Sequence, residues 1–269
     1  MKNDFCFYDI SLPAFTNAMY KITRLICLLL VSLHCSAQST RIKTYNTIGW
    51  YNLAGSTKLT QRFDLYTEYQ WRRNHVISTW QQSVLKVGLN YNLNPNVQFR
   101  LGYGWIETFP YGKYPVNAMG KDFTEHRIFE MVQLKHKEGI LDLSHRFMLE
   151  QRFVGKYSSP DLEKEDQFPL VNRMRYLFRL QMPFANSLKT DRYFYGATYD
   201  EIMLSFGKNV GVNTFDQNRI GILAGYQFSN KLKLEAGYIN QVVQLGRTED
   251  QKNLFQHNNG PIVNLLFKL

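Results

Sequence analysis

Along most of this chain polar and apolar side chains alternate with a period of two. From Ile140 to Phe153 the even positions are Asp142, Ser144, Arg146, Met148, Glu150 and Arg152, and the odd ones Leu141, Leu143, His145, Phe147, Leu149, Gln151 and Phe153. Successive strand residues point to opposite faces, so this is a strand with one wet and one greasy face. Elsewhere Asp64, Glu68, Gln70 and Arg72 alternate with Phe63, Leu65, Tyr69 and Trp71. Gln98 and Arg100 alternate with Val97, Phe99 and Leu101, and Arg173, Arg175, Arg179 and Gln181 with Met174, Tyr176, Phe178, Leu180 and Met182. The pattern predicts about eleven strands, at 41–53, 58–72, 80–93, 97–107, 124–136, 140–153, 171–183, 192–207, 215–228, 231–245 and 256–269. Their 11 to 16 residues exceed the length usual in soluble sheets and suffice for tilted membrane strands.

The connections alternate in length. Ala54–Thr57, 94–96, 137–139, Ala185 to Thr190 and 229–230 are short, and 108–123, 154–170, 208–214 and 246–255 are longer and more polar. Short periplasmic turns and long outer loops are the asymmetry of a membrane barrel, which puts 73–79 on the outer side. The predicted fold is therefore all-β, an antiparallel transmembrane β-barrel of about 10–12 strands in an up-and-down meander. Eleven antiparallel segments leave end strands that run the same way, so ten or twelve are expected to close. Either the first segment, with Trp50, is not a full strand or a long one hides a break.

Alternation alone does not say which face is inside. A soluble exported barrel or sandwich would bury the aromatics and turn the charges to solvent. Strand length, loop asymmetry and the placement of Trp71, Trp80, Tyr91, Tyr103, Trp105 and Tyr226 near strand ends favour the membrane, where such residues form interfacial girdles. The last strand alternates Val263, Leu265, Phe267 and Leu269, and resembles the C-terminal segment that barrel assembly machinery recognises.

The beginning of the chain supplies an export signal. Lys21 and Arg24 precede apolar Leu25 to Leu33, and Cys35-Ser36-Ala37 is a small-residue site before Gln38. Residues 1–37 are thus a presequence starting in effect at Met19, cut after Ala37, with 38–269 a single barrel domain. A lipoprotein would carry lipid on Cys35, but His34 stands where a small residue is required. All three cysteines, Cys6, Cys27 and Cys35, fall in this presequence, so the mature chain has neither disulfides nor thiolate metal sites. It keeps 29 basic and 20 acidic groups. The arginines stand singly at alternate positions, not as a patch, which argues against a nucleic-acid partner.

Glu125-His126-Arg127, Glu150-Gln151-Arg152-Phe153, Arg173-Met174-Arg175 and Gln217-Asn218-Arg219 are the motifs by which the chain resembles an uncharacterised outer-membrane barrel family, domain of unknown function 2490. The likeness spans most of the mature chain. It implies a barrel in the outer membrane of a Gram-negative bacterium, in contact with outer-membrane lipid, and supplies no activity.

The residues expected to line the lumen are Arg62, Asp64, Glu68, Arg100, Glu125, Arg127, Arg146, Glu150, Arg152, Arg173, Arg175, Arg179 and Arg219. Nine arginines against four acids favour anions in a water-filled constriction, so a narrow passive pore for small anionic solutes is the leading function. The alternative is a non-conducting structural or interaction barrel filled by Arg–Glu pairs. A lipid-modifying enzyme is less favoured. His257-Asn258-Asn259-Gly260 resembles a phospholipase motif with asparagine in place of the serine nucleophile, and adjacent Ser144 and His145 point to opposite faces. No enzyme activity, cofactor or metal is expected. His75, His126, His136 and His145 lack ligand spacing, and the acidic loop from Asp161 to Asp166 reads as solvated before it reads as a cation site. Outer loops carrying Tyr111, Tyr114 and Phe123 would offer a partner surface or fold over the barrel mouth.

Overall fold

The computed structural model describes residues 41–184 and 191–269. The expected export signal and the connection Ala185 to Thr190 lie outside the described residues. Eleven strands follow one another: β1 (Arg41–Lys58), β2 (Phe63–Asn74), β3 (Thr79–Asn94), β4 (Val97–Thr108), β5 (Phe123–Glu138), β6 (Leu141–Val154), β7 (Leu170–Pro183), β8 (Tyr193–Phe206), β9 (Phe215–Ser229), β10 (Leu232–Glu249) and β11 (Lys252–Lys268). Each pairs antiparallel with its sequence neighbour, and β1 closes the ring against β11.

That closing pair is parallel, running from Arg41↔Asn253 to Ser56↔Lys268. The expectation that an odd number of strands cannot close is corrected here. Parallel ladders pair only slightly less well than antiparallel ones, so a long seam closes the barrel without a twelfth strand. Regular pairing lapses between Thr47↔Asn259 and Trp50↔Ile262. There Gly260 lies so close to β1 that a Cβ would collide with the backbone of Ile48. One consequence of the odd count is that Arg41 lies at the long-loop end and Leu269 at the short-turn end.

Two connections differ from the pattern. Ala54–Thr57 is not a turn but the end of β1, paired with Leu65 to Glu68 of β2. The turn is 59–62, where Thr60 Oγ1 accepts from the amides of Arg62 and Phe63 at 3.3 and 3.0 Å. Small residues at 54–57 look like turn formers, yet Gly55 is needed in the strand because the Phe267 ring packs on its Cα. Likewise 246–255 is no long loop. Only Asp250 and Gln251 stand between β10 and β11, with φ of 47° and 60°, the pair of left-handed residues that a two-residue hairpin requires. Its polar character comes from strand ends. The loops 109–122, 155–169 and 207–214 are long as expected.

The barrel also settles which face is inside. Glu150, Arg173 and Glu201 are 0%, 1% and 2% exposed, whereas Met174 and Ile222 on the opposite faces are 56% and 68% exposed. Charges point into the lumen, and an apolar band including Leu65, Leu89, Leu101, Ile128, Phe147 and Leu234 points outward. The lumen also holds an apolar cluster, Ile48, Trp50, Tyr195, Ala197, Leu223, Ile239 and Ile262, on β1 and β8 to β11.

Candidate functional site

Inward positions at mid-strand on β5 to β9 carry a continuous ion network. Glu125 takes two forked guanidinium pairs, from Arg127 Nε and Nη2 at 2.5 and 3.0 Å and from Arg152 at 2.6 and 3.1 Å. Arg152 continues to Asp216 at 3.5 Å, and Asp216 accepts from Arg173 at 2.5 Å. Arg173 and Arg175 both donate to Glu150, at 2.7 Å each. Arg175 and Arg146 then share Glu201, at 2.6 and 2.8 Å, with Arg219 at 3.5 Å. Arg146 to Glu201 and Arg173 to Asp216 each bridge across an intervening strand, a reach that the long guanidinium stem allows. Lys86–Glu68 at 3.0 Å and Arg179–Glu235 at 2.6 Å flank the network.

Of the predicted lumen residues, Glu125, Arg127, Arg146, Glu150, Arg152, Arg173, Arg175 and Arg219 meet in this one network. Asp64, Glu68, Arg100 and Arg179 also face inward but lie toward the short-turn end. Asp64 accepts from Asn92 at 2.7 Å, and Arg100 donates to Asn90 at 2.6 Å and lies 3.3 Å over the Tyr66 ring. Arg62 stands in the 59–62 turn, exposed, where it lines the rim of the short-turn cavity. Arg72, on the polar face of its strand, also faces inward, and sequence reasoning missed Lys86, Glu201, Asp216 and Glu235, all buried. Glu201 stands on a strand whose other inward residues are uncharged, such as Tyr199 and Met203. The signal for the missed acids was the arginine excess itself, because buried charges require partners.

The network and the apolar cluster face one another within the lumen. Arg72 of β2 stacks 3.8 Å from the Trp50 ring centre, and Arg219 of β9 lies 4.9 Å from the same centre, so aromatic and cations meet across the bore. On either side lies a vestibule. The one at the long-loop end is a cavity of about 570 Å³, and the one at the short-turn end about 870 Å³, with no lining residue in common. In the first, Arg72, Arg127, Arg152, Lys156, Lys208, Arg219 and Arg247 outnumber Glu125 and Asp216.

The loop between β4 and β5 folds into this mouth. Tyr111 is buried, donates to Gln256 at 2.9 Å and accepts from Asn258 at 3.1 Å. Burial pushes its hydroxyl above the ordinary value, which keeps it a donor at neutral pH. Arg247 grips the loop through the carbonyls of Pro115 and Val116 at 2.6 and 2.8 Å. Tyr114 packs on the cluster of Val243, Leu245 and Leu254, and Phe123 is buried. These aromatics therefore turn inward. In the loop after β6, Glu165 caps the amide of Thr124 at 2.5 Å. Hydrogen bonds from the hydroxyl and amide of Ser158 hold the Asp166 carboxyl below its usual range. Among the described residues, no three His, Cys, Asp or Glu side chains converge as they would on a metal ion.

The outer wall carries the predicted girdle residues. Trp71 and Trp80 meet edge to face at 6.2 Å with Arg73 between them, and Trp105 donates to Glu107 at 2.6 Å, near the long-loop end. Tyr91 on Phe63 and Tyr226 on Phe194 lie toward the other end, and Tyr103 contacts His126 between the two. His145 bonds Tyr176 at 2.9 Å on the outer wall and stacks on His136, while Ser144 bonds Gln133 on the inside. His257 stacks on Tyr45, and His75 stands in the β2–β3 turn. A family model described as "Protein of unknown function (DUF2490)" matches residues 47–253, from within β1 to the start of β11. No curated protein matches the chain.

Proposed function

The chain belongs to the DUF2490 family of proteins of unknown function, and from that premise we propose an outer-membrane barrel whose lumen is closed at rest, an interaction or binding barrel in place of an open pore. The observation that carries this reading is the mid-lumen septum, where Glu150, Arg173 and Tyr195 are 0%, 1% and 0% exposed. An ion needs a continuous path of water or coordinating groups, and the burial of these mid-lumen side chains between two separate cavities supports closure. Placement in the outer membrane is supported by the export signal, the outward apolar band and the edge aromatics. On this reading the partners are outer-membrane lipid and, during insertion, the barrel assembly machinery. It is no enzyme. Ser144 and His145 lie on opposite sides of the wall, and His145 is engaged by Tyr176.

A passive anion pore is the second reading, favoured by the basic excess in both vestibules. Planar-bilayer recording of the purified protein separates the two. The closed barrel gives no steady conductance steps, and Trp50→Ala combined with Arg175→Ala, which thins the septum, introduces them. Steady wild-type conductance with an anion-selective reversal potential would overturn closure in favour of the pore.

A further inference from the structure

The floor of the long-loop vestibule departs from the charge pairing seen elsewhere in the lumen. Arg72, 5% exposed, has no carboxylate within ion-pair distance among the described residues, and its guanidinium donates only to the neutral amides of Gln82, at 2.6 Å, and Gln70. Arg219, 8% exposed, donates to Gln217 at 2.8 Å and has one loose carboxylate partner, Glu201 at 3.5 Å, through the oxygen that Arg175 and Arg146 leave to it. Each keeps an Nε–H without an acceptor. Both stack on Trp50 and both line the same cavity. The two acids of that cavity offer no relief, since Glu125 is forked by Arg127 and Arg152, and Asp216 holds Arg173.

A buried cation without a counter-charge is costly, and natural proteins offset it with an anion. Guanidinium groups take carboxylate or phosphate through paired N–H bonds. The idle Nε–H of each arginine, with an Nη now resting on a glutamine, supplies such a fork. Around it stand neutral amides, Gln81, Gln241 and Gln244, able to bond hydroxyls, and the Tyr111 loop roofs the space. We propose that this floor binds a small oxyanion-bearing solute, its carboxylate or phosphate group held by Arg72 and Arg219. The site does not depend on whether the barrel conducts, so its test and the bilayer test can fail separately.

Isothermal titration of the full barrel in detergent, with inorganic phosphate, glucuronate and glucose as probes, decides the matter. Saturable binding of phosphate or glucuronate, with none of glucose, is expected, and the two oxyanion arms tell a phosphate site from a carboxylate site. Arg72→Gln and Arg219→Gln should each weaken binding by about tenfold or more, while Arg62→Gln, exposed at the opposite mouth, leaves it unchanged. Where Arg72→Gln does not fold, Arg72→Lys keeps the charge, loses the fork and should still weaken binding. Absence of saturable heat with both oxyanions, equal binding of glucose, or unchanged affinity in the Arg72 and Arg219 variants would overturn the proposal.

Discussion

On β5 to β9 the inward positions toward the long-loop end are mainly arginines and carboxylates, whereas on β1, β10 and β11 they are mainly Ile48, Trp50, Ile239 and Ile262 with Gln241, Gln256 and Asn258. The ionic wall gains order from long side chains that cross between non-adjacent strands. Its members are costly to desolvate singly and stabilise one another only as a set. The amide wall is neutral apart from Glu235, which pairs with Arg179, and Gln241, Gln256 and Asn258 each donate and accept. At the parallel seam like residues stand side by side, so Asn46 donates to Asn258 at 2.8 Å and Asn52 to Asn264 at 2.7 Å. Asn258 passes the chain on to Gln241 at 3.1 Å, and Gln241 to Gln217 at 2.8 Å. One wall is therefore sensitive to the loss of any charge, and the other to the fit of its backbones and apolar contacts.

The largest effect should come from the ionic wall. Glu150→Ala removes the buried carboxylate shared by Arg173 and Arg175, leaving each with a single acid, Asp216 and Glu201, and should cost about 3–5 kcal/mol, read by urea unfolding of the reconstituted barrel. A loss below about 1 kcal/mol would place that wall among weak solvated pairs. Gly260→Ala attacks the seam instead, forcing β11 away from Ile48. An overpacking cost of about 1–3 kcal/mol is expected, together with faster hydrogen exchange confined to β1 and β11. Uniform exchange across all strands would contradict a locally strained seam.

Within the apolar cluster, Ile239→Val removes one methylene from a fully buried site and should cost about 0.5–1.5 kcal/mol. Asn52→Ala sits at the bottom of the series. It deletes one partly exposed amide bond and should cost about 0.5–1 kcal/mol. If it rivals Glu150→Ala in the same unfolding assay, the contrast between the walls fails.

Much of the fold was legible in local pattern. Alternation around Arg146 and Glu150 marks strands and faces wherever one side of the strand is charged. It was weaker on β9 to β11, where Leu223, Ile239 and Ile262 point inward and apolar neighbours point outward, so period two says little about side. The site was legible as a list of arginines but not as a network, because Glu201 and Asp216 meet Arg146 and Arg173 only across the bore. The first turn was misplaced because 59–62 offers no glycine or proline, while Ala54 to Thr57 looks like a turn and is strand.

The sequence by itself determined that this is a long-stranded β-barrel with arginine-rich polar faces, because the side-chain period of a strand is a local property. Only the tertiary structure decided that eleven strands close through a parallel seam, that the loop bearing Tyr111 roofs one mouth, and that charges and Trp50 fill the bore. Those outcomes depend on which strands become neighbours and how far an arginine reaches across the lumen, distances that exist only once the ring is closed.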